Sequence, residues 1–397
     1  MFIIIALLVL GLLHGYVGFR LIEPFSLNGP YLILYWSLII ILAITPIVAM
    51  VLRFKGQENV VTDILLYIAY TTLGLFTLAF VLFLVRDLIW FLSLAFDRLM
   101  ILFDGKQSLS SKVDPERRKF LLMSLNYGIV GATGVLGTLG FIQAKKLAQV
   151  FRHQITISRL PEGLDGLRIV QVSDLHVGPT IKRDYVEKVV KQVNDLKPDL
   201  IFFTGDMVDG SVEYLANDVE PLGELKSKYG KFFVTGNHEY YSGVEFWLKK
   251  VELLGMTTLM NEHRILEIAG EKIAIAGVTD LMAHQMNRSH ASDPVKAVQG
   301  ISQDIPILLL AHQPGTADAI QDLDIDLMVC GHTHGGQYYP FKYAVSLAHS
   351  YVSGLYTQGK TQVYVNQGTG YWGPPLRLGI PSEITLFELL SERSEPV

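Results

Sequence analysis

The sequence predicts a bundle of membrane-spanning helices followed by an α/β domain. Three observations lead there. The 397-residue chain has a mean hydropathy of +0.33 and only 18% charged residues, too apolar for an ordinary soluble enzyme. The apolar excess is confined to the first 145 or so residues. Beyond them, strand-length apolar runs alternate with amphipathic helical stretches, the pattern of parallel sheet packed between helices. The expected division is a transmembrane domain at 1–145, a connector at 146–165 and a globular domain at 166–397.

Four segments of the first part approach or exceed the ~20 residues that a spanning helix needs. They are 2–19, 31–52, 64–85 and 120–142. The first lacks a basic leader and reads as a retained anchor rather than a signal peptide. After Arg86 and Asp87 the apolar run resumes at 88–96, and the charges at Asp97, Arg98 and Asp104 favour a helix lying on the surface there. The clear spans carry no strong acid or base at their middle, so anchoring is their expected role rather than ion transport.

Orientation follows from basic residues. Arg86, Arg98, Lys106, Lys112, Arg117, Arg118 and Lys119 precede the fourth helix. By the positive-inside rule that loop is cytoplasmic, and the C-terminal domain falls on the extracytoplasmic side of the cell's inner membrane. Arg53, Lys55, Lys145, Lys146 and Arg152 weigh the other way. The net charge of −5 gives no reason to expect nucleic acid as a partner. The single cysteine, Cys330, excludes an internal disulfide.

In the second part, strands are expected at 167–173, 200–204, 231–235, 272–276, 305–311, 327–330, 361–365 and 383–389, with a helix at 183–195. That helix puts Val186, Val189, Val190 and Val193 on one face. Five polar clusters each follow an apolar run. They are Asp174-Leu175-His176, Gly205-Asp206-Met207-Val208-Asp209, Gly236-Asn237-His238-Glu239, Ala311-His312-Gln313 and Gly331-His332-Thr333-His334. In open α/β folds, ligands bind beyond the carboxyl ends of the strands.

Carboxylate oxygen and imidazole nitrogen together suit Mn, Fe or Zn. On extended backbone, residues two apart point the same way, so Asp174 and His176 can reach one ion. His332 and His334 repeat that spacing, with Gly331, Gly335 and Gly336 allowing a turn. The two oxygens of Asp206 can bridge two ions, and Asn237 offers a neutral oxygen. A pair of ions ~3.5–4 Å apart can hold a phosphoryl group and activate water.

In this order the motifs resemble the calcineurin-like metallophosphoesterase superfamily, over roughly residues 167–390. The stretch 366–375, from Asn366 to Pro375, is similar to a membrane-anchored bacterial branch of it. The resemblance implies two sheets sandwiched between helices. It implies that Asp174, His176, Asp206 and His334 bind one metal, and that Asp206, Asn237, His312 and His332 bind the other. It further implies that His238 binds no metal and faces the leaving group as a general acid, held by Asp209. The implied activity is hydrolysis of a phosphomonoester or phosphodiester by metal-activated water. A lipid-linked or envelope substrate suits the membrane setting.

Several further residues have competing readings. Glu239 is expected to support structure, and Arg377 to contact the substrate phosphate. Tyr240 and Tyr241 divide evenly between packing and leaving-group contact. His263, His284, His290 and His349 lack spacing partners and read as surface or loop residues. The aromatic, nearly uncharged stretch 338–356 is either packed against the domain or a flap meeting the bilayer. The rival to an enzyme is a non-catalytic metal-binding sensor or scaffold on a membrane anchor. The oligomeric state has no signature in the sequence.

Overall fold

The computed structural model describes residues 2–25, 27–104 and 114–392. The chain forms two compact units, Met1–Phe141 and Ile142–Val397.

The first unit is built from α1 (Phe2–Ile22), α2 (Gly29–Phe54), α3 (Val60–Asp104) and most of α4 (Pro115–Lys145). Each helix is long and apolar enough to cross a membrane, over Ile4–Ile22, Gly29–Arg53, Val60–Met100 and Lys119–Lys145. Large apolar side chains such as Leu12, Ile33 and Leu34 face outward, as surfaces that meet lipid do.

The third span differs from the sequence expectation. No break or separate surface helix follows Arg86 and Asp87, because α3 is continuous from Val60 to Asp104. The two charges pair with each other, Arg86 Nη2 lying 2.8 Å from Asp87 Oδ1, and both find further partners. Arg86 Nη1 donates to Asn126 Oδ1 (2.7 Å), and Asp87 Oδ2 accepts from Arg20 Nη2 (2.7 Å) and the Tyr16 hydroxyl (2.5 Å). A second charged group joins Arg53 to Glu58 (2.7 Å) and Asp63 (3.0 Å). From Asp63 to Arg86 the helix rises about 34 Å, close to the ~30 Å hydrocarbon core of a bilayer. The whole apolar stretch Val60–Met100 is about 61 Å long, roughly twice that core. Lys106 and Lys112 lie outside the described residues.

The second unit follows in the order β1 (Gln149–Ile157), β2 (Arg168–Val172), α5 (Arg183–Asp195), β3 (Leu200–Thr204), α6 (Val212–Val219), β4 (Gly230–Val234), α7 (Asn237–Tyr241) and α8 (Val244–Leu253). Then come β5 (Thr257–Thr258), β6 (Glu262–Ile268), β7 (Glu271–Gly277), α9 (Pro294–Val298), β8 (Ile307–Leu310) and β9 (Leu327–Cys330). The unit ends with α10 (Phe341–Ala348), β10 (Gly354–Gln358), β11 (Thr361–Val365) and β12 (Glu383–Ser391). The strands form two six-stranded sheets, β1-β12-β2-β3-β4-β5 and β10-β11-β9-β8-β7-β6. β2, β3, β4 and β5 run parallel, as do β7, β8, β9 and β11.

The sheets pack face to face. Ile169, Phe202 and Val234 of one meet Ile275, Leu308 and Val329 of the other in one buried cluster. The opposite face of the first sheet packs against Val186, Val189, Val190 and Val193 of α5. Burying side chains of this size stabilises the fold by about 1.5–3 kcal/mol each. The residues expected as a connector are in part sheet. β1 pairs in parallel with the full length of β12, from Gln149 opposite Glu383 to Ile157 opposite Ser391. Its sequence carries Arg152, His153 and Gln154 as a polar block between apolar residues, which hides a partly exposed edge strand.

Candidate metal centre

The five polar clusters begin within three residues of the ends of β2, β3, β4, β8 and β9. The parallel course of these strands brings the clusters to one edge. The backbone there is not extended. Asp174, His176, Asp206, His332 and His334 all have positive φ, between 51° and 72°. Such left-handed geometry costs roughly 1–3 kcal/mol per residue outside glycine and concentrates at functional sites.

Glycine permits the close approaches. A Cβ on Gly331 would sit 2.1 Å from Asp174 Oδ2, and one on Gly236 would sit 2.2 Å from Asp206 Oδ1. Gly331 therefore makes room for a carboxylate, while Gly335 and Gly336, at φ 61° and 81°, make the turn.

The donors fall into three overlapping groups. Asp174, His176 and His334 form the first; Asp206, His312 and His332 the second; His176, Asp206 and His238 the third. Within each group the ligand atoms lie no more than 4.8 Å apart. Asp206 is central, with Oδ2 3.1 Å from His312 Nε2, 3.7 Å from His176 Nε2 and 3.9 Å from His238 Nε2. His332 and His334, though two residues apart, belong to different groups. Within the first group His176 Nε2 lies 3.0 Å from His334 Nε2, and within the second His312 Nε2 lies 3.2 Å from His332 Nδ1.

Surrounding groups fix these side chains. Asp209 Oδ1 lies 2.6 Å from His238 Nδ1 and 2.9 Å from His176 Nδ1. The second contact is absent from the sequence reading. His312 Nδ1 donates to Thr204 O (2.8 Å), directing Nε2 at Asp206. Glu239 is fully buried and accepts from the backbone N–H groups of Asp206, Met207 and Gly236 (3.0, 2.8 and 2.7 Å). It ties the loop after β3 to the loop after β4. Burial and the nearby Asp206 push its carboxyl up to about 7.

Arg377, expected at the substrate phosphate, is fully buried and bonded within the fold beside His334. Its Nη2 donates to Gly370 O (2.6 Å) and His334 Nδ1 (3.1 Å), and its Nη1 to His334 O (3.1 Å). Its Nε is buried and has no hydrogen-bond partner among the described residues. Of the two tyrosines, Tyr240 is buried with its hydroxyl 3.2 Å from His290 Nδ1. Tyr241 is half-exposed, its ring 5.3 Å from that of His238. Trp372 flanks His238 as well, at 5.7 Å between ring centroids. His349 has no sequence spacing to mark it, yet its ring lies 5.6 Å from His332. His284 is exposed, and His263 Nδ1 lies 2.8 Å from Ala297 O.

The electrostatics split the histidines across the proposed roles: burial opposes a proton on His312, yet Asp206 holds that ring well above the usual range, as with His238. Burial works against a proton on His238, but Asp206 and Asp209 outweigh it and raise the ring to about 9. Burial and the neighbouring His312 lower His332 to about 3, and burial with His176 and Arg377 nearby keeps His334 well below the usual range. A neutral imidazole is the form that binds metal.

The donor set fits metal ions. Asn237 Oδ1 is buried and has no hydrogen-bond partner among the described residues. Leaving such an atom unpaired costs about 1–3 kcal/mol, and a cation would satisfy it. The mixed nitrogen and oxygen donors suit borderline divalent metals.

Residues 167–336 match the family described as calcineurin-like phosphoesterase. An uncharacterised metallophosphoesterase of Campylobacter jejuni is 30% identical over 99% of both chains. One of Helicobacter pylori is 38% identical over 70% of this chain and 74% of its own. A Danio rerio protein, named as a transmembrane protein with metallophosphoesterase domain, is 40% identical over 64% of this chain. The matched region spans 60% of that relative's length. With four helices among the described residues long and apolar enough to cross a bilayer, the chain is a membrane protein. It belongs to the calcineurin-like metallophosphoesterase family, as do bacterial relatives of matching length.

Proposed function

We propose that the chain is a membrane-anchored phosphoesterase with a two-metal centre. The helical unit serves as the anchor, and the unit from Ile142 onward carries the chemistry. Asp174, His176, Asp206 and His334 would hold one ion, and Asp206, Asn237, His312 and His332 the other. The observation that carries this reading is the assembly of Asp174, His176 and His334 beside Asp206, His312 and His332, with His176 and Asp206 linked through a third group and Asn237 Oδ1 lacking a partner among the described residues. Bound there, two divalent ions of Mn, Fe or Zn type would polarise a phosphoryl oxygen and activate water.

The chain's own residues supply the rest. Asp209 orients His238 through Nδ1, and Asp206 and Asp209 favour the charged ring. His238 would thus hold a proton at Nε2 for the departing oxygen of a phosphomonoester or phosphodiester. Tyr241 and Trp372 flank that ring and would border the leaving group. The membrane anchor favours a lipid-linked or envelope phosphate ester as substrate. The balance of basic residues favours an extracytoplasmic catalytic unit on the inner membrane.

The test is turnover of a paired model monoester and diester by the detergent-solubilised full chain, with Mn added and then with chelator. Chelator-sensitive hydrolysis of either ester supports the proposal. Metal bound at the centre with no turnover of either would favour a sensor or scaffold.

A further inference from the structure

The segment after the Gly331–Gly336 cluster is the least explained part of the second unit. α10 (Phe341–Ala348) contains no buried residue. Its apolar side chains stand in the open instead, with Phe341 47%, Tyr343 65% and Leu347 91% exposed. Residues 337–360 include no Asp or Glu, while Lys342 and Lys360 supply positive charge. A short helix that is apolar and exposed needs a covering surface.

A chain of contacts within the second unit leads from α10 to the end of a membrane span. Lys145, the last residue of α4 and of its apolar stretch, donates through Nζ to Tyr371 Oη (2.7 Å) and Thr180 O (2.9 Å). The next residue, Trp372, is half-exposed. Its backbone N–H donates to Gln337 Oε1 (2.9 Å), and its carbonyl accepts from Gln337 Nε2 (3.0 Å). Gln337 lies four residues before α10, whose first residue stacks on Tyr338 at 5.6 Å between centroids. Trp and Tyr beside basic residues are what membrane–water interfaces select.

We propose that α10 is seated on the bilayer of the protein's own membrane, with Phe341, Tyr343 and Leu347 entering the headgroup region. The occupant is lipid rather than another protein, because hydrogen bonds tie this patch to the residue at which a span ends. The patch also meets the candidate metal centre, through His349 beside His332 and through Trp372 beside His238. A helix seated this way would present that edge of the centre to amphiphiles in the interface. The seating itself does not rest on the phosphoesterase reading.

Labelling tests it without any assay of activity. Leu347→Cys, and Tyr343→Cys as a second position, would carry a nitroxide in the full chain, reconstituted in nanodiscs holding one copy. Cys330 is buried and stays in place, with the unlabelled parent giving its background. Leu253→Cys, at a site 82% exposed on α8, is the aqueous control. The expected result is a several-fold preference for collision with oxygen over a water-soluble nickel chelate at 347 and 343, and none at 253. Equal chelate access at all three positions would overturn the proposal. So would protection that appears only in discs holding two copies, which would assign the patch to a second chain.

Discussion

The rings of His176 and His238 are held by the same carboxylate oxygen, Asp209 Oδ1, and meet edge to face 4.7 Å apart. In the proposed assignment, His176 would hold a metal and His238 would donate the proton. Under the proposed function, Asp209 would therefore couple metal binding to proton transfer.

His238→Ala should keep its metal and lose activity by roughly 10²–10⁴-fold, the usual contribution of a positioned acid or base. Asp209→Asn should do more than slow turnover. By loosening His176 it should also weaken metal affinity about 10–100-fold. Metal titration of both variants beside the parent separates the two effects. Equal metal affinity in all three would remove the coupling.

Metal binding should also stabilise the second unit. An ion that binds only the folded state contributes about 2.7 kcal/mol at a hundredfold excess over Kd. Chelation should lower the melting temperature of the full chain. Asn237→Ala should reduce this metal-dependent gain, since it removes the unpartnered oxygen. A chelator-independent melting curve in the parent would contradict the donor assignment.

Arg377→Met keeps an unbranched, flexible stem and removes the donors. It should lower metal content, because Arg377 holds His334 through both its ring nitrogen and its carbonyl. Under this reading, the KM of whatever metal-loaded protein remains should change little. A large rise in KM with full metal content would return Arg377 to the substrate.

Glu239→Gln should destabilise the unit by about 1–3 kcal/mol, the cost of weakening a buried acceptor of three backbone N–H groups. Denaturant midpoints for the parent and the variant measure it directly.

A pH effect is expected away from the metals. His153 on β1 lies beside the Tyr364 hydroxyl (3.0 Å), and burial lowers its pKa against the opposing pull of Glu383. The folded state thus takes up this proton less readily than the unfolded chain. The stabilisation is complete above about pH 6.5 and is lost as the pH falls toward the lower folded value. His153→Gln should flatten that part of the curve of melting temperature against pH.

Much of the site is legible in the sequence because each donor cluster follows an apolar strand. Leu200–Thr204 and Leu327–Cys330 are continuous apolar or β-branched runs, as expected of buried strands. β1 is not legible, because an edge strand with one exposed face carries Arg152, His153 and Gln154. The extended backbone inferred from the i, i+2 spacing also fails. Asp174, His176, His332 and His334 are left-handed, and only the assembled loops hold that geometry. Arg377 resembles a phosphate ligand by residue type, but its burial comes from the fold of 366–382, which no local pattern reveals. The continuous α3 was hidden by Arg86 and Asp87, whose partners Arg20 and Asn126 lie on other helices.

The central claim is two ions bridged by Asp206. Anomalous diffraction from crystals of the Mn-loaded protein tests it most directly. The predicted result is two peaks ~3.5–4 Å apart on either side of the Asp206 carboxylate. A single peak, or none, at saturating Mn would contradict it.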